Sequence, residues 1–148
     1  SFSCPNLERY IMPNGNPVFD IRNNSVIETA TNRLIAGAIL SSKIHESVTT
    51  IGKEAFYESC IASVDLHAGI TTIEDYAFDY SDITQIICRA TTPPTLGESP
   101  FRLTNYSGRM KVPEESISLY RSSWFLTDVG YLGWTNYRWG LVALAEGE

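Results

Sequence analysis

Residues 48–88 read VTTIGKEAFYESCIASVDLHAG and then ITTIEDYAFDYSDITQIIC, so the sequence nearly repeats itself at the fixed step that leads from Val48 to Ile70. The matching positions are apolar or small: Val48 with Ile70, Ile51 with Ile73, Ala55 with Ala77, Phe56 with Phe78, Ser59 with Ser81, Ile61 with Ile83, Val64 with Ile86 and Leu66 with Cys88. A fixed period of this size indicates a solenoid of stacked units, because no single unit can bury its own apolar face.

Each unit contains two kinds of spacing. The pattern Ile61-x-x-Val64-x-Leu66 predicts a short strand whose alternate residues point inward. The small and large pair Ala55-Phe56 predicts a helical or irregular turn on the opposite wall, with the phenyl ring inside. We expect stacking to align these rings in one ladder through the core, formed by Leu34, Phe56, Phe78 and Phe101.

The segment before the clear repeat predicts a modified unit. Residues 3–12 have the spacing of the end of a unit whose beginning is missing, so we expect a truncated first unit. Residues 26–29 and 33–36 flank a short loop and predict a β-hairpin insertion. The core-facing strand of this unit is expected to survive, because Leu34, Ile39 and Ile44 precede Phe56, Ile61 and Leu66 by one repeat step.

The segment after the repeat predicts an end cap. Leu96, Phe101, Met110 and Val112 resemble a final unit lengthened by one or two residues. Pro113 followed by two acidic residues is a helix start, and an apolar stripe continues through Ile117, Tyr120 and Trp124. We therefore expect a capping helix at about 114–124, a closing strand at 141–144 and a solvated segment at 146–148.

These patterns divide the chain into a repeat array of about four units at 1–126 and an aromatic-rich closing segment at 127–148. The net charge of −6 argues against nucleic acid and against an anionic membrane surface, because both need a basic patch. No apolar run reaches the length of a membrane span. The odd number of cysteines, without C-x-x-C spacing, predicts neither a disulfide framework nor a zinc site.

The unit at 48–60 resembles the BspA-like leucine-rich repeat of bacterial surface proteins. Residues 92–96 and 111–116 are similar to that family's closing segment, and residues 27–37 to a hairpin insertion found in its members. Glu74 departs from the pattern, since glycine is usual there. The resemblance implies an α/β leucine-rich repeat solenoid with short parallel strands, located at the cell surface or secreted.

The resemblance also implies what the protein does. It implies adhesion-type binding of a host or bacterial surface protein or glycan, with no cofactor and no catalytic activity. The chain shows no Gly-rich phosphate loop, no G-x-S-x-G and no His-Glu-x-x-His. Two alternatives stay open, a structural spacer or stalk and a carbohydrate-binding or hydrolytic module, and the oligomeric state is undecided.

Residues between the inward positions should face outward in rows across the strands. The first row is Arg9, Ser41, Ser63, Gln85 and Arg109; the second is Ile11, Lys43, Asp65, Ile87 and Lys111; the third is His45, His67 and Arg89. The candidate binding residues among them are Lys43, His45, Asp65, His67, Gln85, Ile87, Arg89, Arg109 and Lys111. Solenoids bind partners on such extended faces. The alternative is a solvated sheet face with scattered apolar residues.

Two smaller candidates stand beside this face. His45 and His67 should be neighbours across strands, and with Asp65 nearby they could hold Zn²⁺, although no third ligand is fixed. The aromatic residues near the end are either a platform for sugars or a plug that closes the last unit: Trp124, Tyr131, Trp134, Tyr137 and Trp139.

Overall fold

The computed structural model describes residues 11, 15–38, 43–101, 108–125 and 140–148. Its strands form two sheets around one apolar core. The six-stranded sheet has the order β1-β2-β3-β4-β6-β8 and the four-stranded sheet has the order β10-β9-β7-β5. The strands are β1 Phe19–Arg22, β2 Ser25–Glu28, β3 Arg33–Gly37, β4 Thr50–Ile51, β5 Ser63–Leu66, β6 Thr72–Ile73, β7 Gln85–Cys88, β8 Thr95–Leu96, β9 Arg109–Val112 and β10 Gly140–Ala143.

The sequence repeat is visible directly in the strand register. Thr50 pairs with Thr72 in the six-stranded sheet, and Ser63 pairs with Gln85 in the four-stranded sheet, both in parallel and both one repeat step apart. Each unit thus contributes one strand to each sheet. The next pairs join Thr72 to Thr95 and Gln85 to Arg109, whose separations exceed the repeat step slightly. The last unit is therefore lengthened by one or two residues, as the sequence predicts.

The wall that carries the phenylalanines is made of turns rather than helix. Its amides alternate between two kinds of acceptor: Tyr57 N–H donates within its own unit to Glu54, at 3.1 Å, whereas Phe56 N–H donates to Ala77 of the next unit, at 2.7 Å. This alternation needs left-handed backbone at regular intervals. Positive φ angles recur at the repeat step, at Glu54 and Glu58 and then at Tyr76 and Tyr80.

The core contains the expected ladder of rings. The rings of Phe56 and Phe78 are stacked with centroids 5.0 Å apart, and those of Phe78 and Phe101 are stacked at 5.4 Å. Trp124 continues the series with a tilted contact of 6.0 Å to Phe101. All four side chains are at most 1% exposed. The ladder therefore joins successive units and ends against the helical segment.

The prediction for Leu34 is wrong. Leu34 pairs with Ile51, which follows it by less than one repeat step. Leu34 therefore does not lie one repeat step before Phe56 in the ladder of rings. The hairpin insertion changes the number of residues between paired positions, because its second strand, β3, pairs directly with β4 in the parallel sheet. The expected step survives at Ile44, whose N–H donates to Asp65 at 3.3 Å, one residue before Leu66. Ile39 lies outside the described residues.

The region before the repeat is a three-stranded antiparallel ribbon. β2 pairs with β3 across the short loop at 29–32, where the sequence predicts a hairpin, and β1 pairs with β2. Asn23 and Asn24 turn the chain between β1 and β2 with positive φ angles, which asparagine tolerates in tight hairpins. Gly37 at the end of β3 is required, since a Cβ there would lie 2.0 Å from the Phe56 ring.

Glu74, the residue that departs from the repeat pattern, ties the ribbon to the array. Its carboxylate pairs with the Arg33 guanidinium, with Nε 2.7 Å from Oε1 and NH2 2.8 Å from Oε2. Arg33 is the first residue of β3 and Glu74 follows β6, so the ion pair spans the intervening strand β4. It crosses β4 beside Gly52, where a Cβ atom would lie 3.3 Å from Arg33 Nε.

A helical segment at 114–125 packs against the apolar core through Tyr120 and Trp124. It consists of a 3₁₀ turn at Glu114–Ser116, an α-helical turn, α1, at Ile117–Tyr120 and a π-helical turn at Arg121–Phe125. Tyr120 and Trp124 are buried on one side, as the stripe predicts. Among the described residues, no helix is long and apolar enough to cross a membrane.

Two cysteines fall within the described residues. Cys60 is disulfide-bonded, which the odd number of cysteines without C-x-x-C spacing does not indicate. Cys88 is free and buried, in the position of an inward-facing apolar residue on β7. Burial raises the pKa of the Cys88 thiol, which keeps the thiol protonated.

Candidate functional site

The outward face of the four-stranded sheet collects most of the predicted site residues. Residues on β5, β7 and β9 alternate between buried and partly or fully exposed, because successive side chains of a strand point to opposite faces. The register places Ser63, Gln85 and Arg109 in one row. It places Asp65, Ile87, Lys111 and Val142 in a second row. These rows are the ones that the repeat predicts.

Upstream, the second row continues to Lys43. An isolated parallel bridge pairs Lys43 with Asp65, so the exposed Lys43 occupies the same row one strand spacing earlier. Ile11, predicted for this row, is 85% exposed. Arg9 and Ser41 lie outside the described residues. The row therefore runs from a lysine, through a carboxylate and an isoleucine, to a second lysine.

Arg89 links the second row to the third. Its guanidinium binds the Asp65 carboxylate with two hydrogen bonds, Nε to Oδ1 at 2.8 Å and NH2 to Oδ2 at 2.9 Å. Both side chains are partly exposed. These hydrogen bonds raise the pKa of Arg89 above its ordinary value and fix the orientation of the planar group.

Lys111 carries a second ion pair on this face. Its Nζ lies 2.6 Å from Oε2 of Glu148, and Arg89 NH1 donates to the main-chain oxygen of Glu148 at 2.5 Å. The hydrogen bond from Lys111 holds the pKa of Glu148 below its ordinary value. Residues 146–148 are exposed, as the sequence predicts, although Glu148 also forms this ion pair.

The comparisons with known proteins agree with the repeat. A family model described as the BspA type leucine-rich repeat region (6 copies) matches residues 35–129, well over half of the 148-residue chain. The chain belongs to this family. The resemblance inferred from its motifs is thus confirmed, and β5, β7 and β9 of the outward face lie inside the matched range. No curated protein and no solved structure matches the chain.

The two histidines of this BspA-type repeat shape turns. Ser47 N–H donates to Nδ1 of His45 at 3.1 Å, and Gly69 N–H donates to Nδ1 of His67 at 3.0 Å. The same nitrogen therefore accepts a main-chain hydrogen bond in both units. Across the described ranges, no group of three or more His, Cys, Asp or Glu side chains is arranged to hold a metal ion.

A half-open groove lies beside the outward face, where the strands of one sheet lead into the other. Its volume is about 380 Å³. The residues that line it are Ala68, Ile70, Thr71, Ala90, Thr91, Thr92, Pro93 and Thr95. None of these is an acid, a base or a thiol, so the groove offers hydroxyl groups and apolar surface only.

The aromatic cluster predicted near the end of the BspA-type array is described only in part. Trp124 is buried against Phe101 and Tyr120, and its Nε1 donates to the Pro94 oxygen at 3.1 Å, so it fills the plug role. The other members, Tyr131, Trp134, Tyr137 and Trp139, lie outside the described residues.

Two residues of the face were missed by the sequence analysis. Val142 extends the second row on β10 and is 37% exposed, and Glu148 reaches Lys111. The predicted closing strand at 141–144 could have placed Val142, because alternation along the strand makes it outward-facing. No periodic signal points to Glu148.

Proposed function

We propose that this BspA-type chain is a non-enzymatic, adhesion-type binding module of a bacterial surface protein, and that its repeat units stack into a leucine-rich repeat solenoid. Repeats of this family are generally surface repeats that bind proteins. The partner is a host or bacterial surface protein or glycan. The disulfide at Cys60 supports a secreted or surface location, since disulfides persist in oxidising compartments.

One observation carries the proposal: the straight rows on the outward face of the four-stranded sheet. Four parallel strands in register place Ile87 and Val142 on either side of Lys111 in one row. Apolar residues within a polar field provide contact area, and the surrounding charges provide specificity. The groove beside this face contains no titratable group, which also favours binding over catalysis.

The test is a binding panel with matched variants. Wild-type protein is measured by biolayer interferometry against immobilised matrix proteins, bacterial surface proteins and surface glycans. Ile87→Asp should weaken any genuine binding at least tenfold, because it puts a charge at the centre of the face. Val18→Asp, at an exposed apolar position beside β1, is the control and should change binding less than twofold.

Three results would contradict the proposal. If nothing on the panel binds, or if Ile87→Asp and Val18→Asp behave alike, the chain serves as a spacer or binds through another surface. A glycan signal that is lost in Trp134→Ala, with an unchanged melting temperature and no effect of Ile87→Asp, would indicate the carbohydrate-binding alternative.

A further inference from the structure

The residues after β10, at 145–148, fold back onto the outward face. Gly147 has a φ angle of +84°, a left-handed conformation that glycine adopts without strain. It lets the chain reverse, so that Glu148 N–H donates to the Ala145 oxygen at 3.1 Å. The result places Glu148 over the cations of the face.

Glu148 presents two different kinds of oxygen to two different cations. Its carboxylate meets Lys111, at 2.6 Å between Oε2 and Nζ, and its main-chain oxygen meets Arg89 NH1 at 2.5 Å. The second carboxylate oxygen accepts a hydrogen bond from Ala145 N–H at 3.3 Å. Lys111 therefore binds an acidic side chain, while Arg89 binds the main-chain oxygen of the same residue.

Neighbouring side chains orient Arg89 and surround Lys111. Asp65 holds two nitrogens of Arg89, so the remaining NH1 is oriented outward before any acceptor arrives. Lys111 lies between Ile87 and Val142 in its row, so an apolar side chain flanks the charge on each side. The chain as a whole carries a charge of −6, so general attraction does not favour an acidic ligand, and such a ligand must rely on these two groups.

We propose that Arg89 and Lys111 form a recognition site for an acidic peptide segment of a partner protein, and that residues 145–148 occupy this site in cis as a tethered stand-in. This inference rests on the proposed function, because it names the partner chemistry for the same face. The partner's Asp or Glu replaces Glu148 on Lys111, and a main-chain oxygen of the partner replaces that of Glu148 on Arg89.

The test uses the full chain and a defined probe. The probe is an acetylated and amidated fluorescent peptide, Ala-Leu-Ala-Glu-Gly-Glu, titrated at low salt and followed by fluorescence anisotropy. Glu148→Gln weakens the cis competitor and should tighten peptide binding on the order of five- to tenfold. The matched control is Glu146→Gln, which removes the same charge two residues away and should change the affinity less than twofold.

A second variant ties the gain to the site. Lys111→Gln added to Glu148→Gln should abolish the gain, and Arg89→Lys should weaken binding because a lysine cannot hold Asp65 bidentately while also donating outward. Lys111 and Arg89 are partly exposed, and circular dichroism confirms that each variant is folded.

Several outcomes would overturn the inference. They are absence of peptide binding by both wild type and Glu148→Gln, equal effects of Glu146→Gln and Glu148→Gln, and binding of a sulfated oligosaccharide without peptide binding. If the peptide fails while the panel still shows binding that depends on Ile87, only this inference falls and the proposed function stands.

Discussion

The Phe78 side chain shows how a single residue joins neighbouring units. Its ring stacks between those of Phe56 and Phe101 and is fully buried. Each such ring removes a large apolar area from water and contacts the units before and after its own. The cost of losing one ring therefore includes both the lost transfer free energy and the cavity left between two units.

We predict that Phe78→Ala lowers the free energy of unfolding by about 3–5 kcal/mol. The measurement is a urea melt followed by circular dichroism. Tyr57→Ala is the control, because Tyr57 is 42% exposed and meets Tyr80 only edge to face. It should cost less than about 1 kcal/mol. A Phe78→Ala cost below that value would show that the ring is not part of the core.

Single residues also show where prediction from the sequence ends. The repeat period, combined with alternation along a strand, correctly placed Gln85, Asp65 and Lys111 on the outward face. It failed for Leu34, because a fixed period does not show where an insertion changes the number of residues between paired positions. It could not foresee the Arg33–Glu74 pair either, since a contact made once in the chain leaves no periodic trace.

The helical segment at 114–125 caps the last unit through side-chain donors. Ser116 Oγ donates to the Thr91 oxygen at 2.8 Å, the Tyr120 hydroxyl to the Ala90 oxygen at 2.7 Å, and Trp124 Nε1 to the Pro94 oxygen. These donors recur at every fourth position along the segment and satisfy carbonyl groups of one stretch of backbone. The apolar stripe predicted the segment and its buried side, but the partners of its polar atoms could only be read from the structure.

Tyr120 should make stability depend on alkaline pH. Burial raises the pKa of Tyr120 above its ordinary value, so the unfolded chain loses this proton at lower pH than the folded chain. The stabilising contribution is complete below about pH 10 and is lost as the pH rises beyond it, by up to about 1.4 kcal/mol per pH unit. Cys88 acts in the same direction, because burial raises its pKa too.

The measurement is a series of urea melts from pH 7 to pH 11 on wild type and Tyr120→Phe. At pH 7 the variant should lose about 1 kcal/mol through the missing hydrogen bonds to Ala90 and Cys88. Above pH 10 its stability should fall less steeply than that of wild type. Parallel curves across this range would contradict a buried, protonated Tyr120.

At the scale of the whole molecule, the two sheets end differently. The six-stranded sheet ends at β8, just after Pro94, whose oxygen accepts a hydrogen bond from Trp124 of the helical segment, while the four-stranded sheet continues from β9 to β10. The outward face is therefore one strand wider than the repeat alone would make it. This extra strand brings Val142 and the residues that follow it to the candidate site, which explains why periodic reasoning found most of the site but not its edge.

The cysteines provide a test that covers the whole chain. Iodoacetamide added to the native protein should modify neither Cys60 nor Cys88, because one is disulfide-bonded and the other is buried with a raised pKa. Denaturant alone should expose Cys88, and denaturant with reductant should expose both. Peptide mass spectrometry reads the modified sites. Modification of Cys60 without reductant, or of Cys88 in the native state, would contradict this description.

The ion pair between Arg33 and Glu74 has a consequence for how the gene can change. Neighbouring units present equivalent surfaces, so duplication of one repeat block could lengthen the array by one strand spacing, about 4.8 Å. An extra copy between the ribbon and Glu74 would carry the two charges out of reach of each other. Copies added after Glu74 would leave them in contact. The position of an added copy therefore decides whether this ion pair is kept.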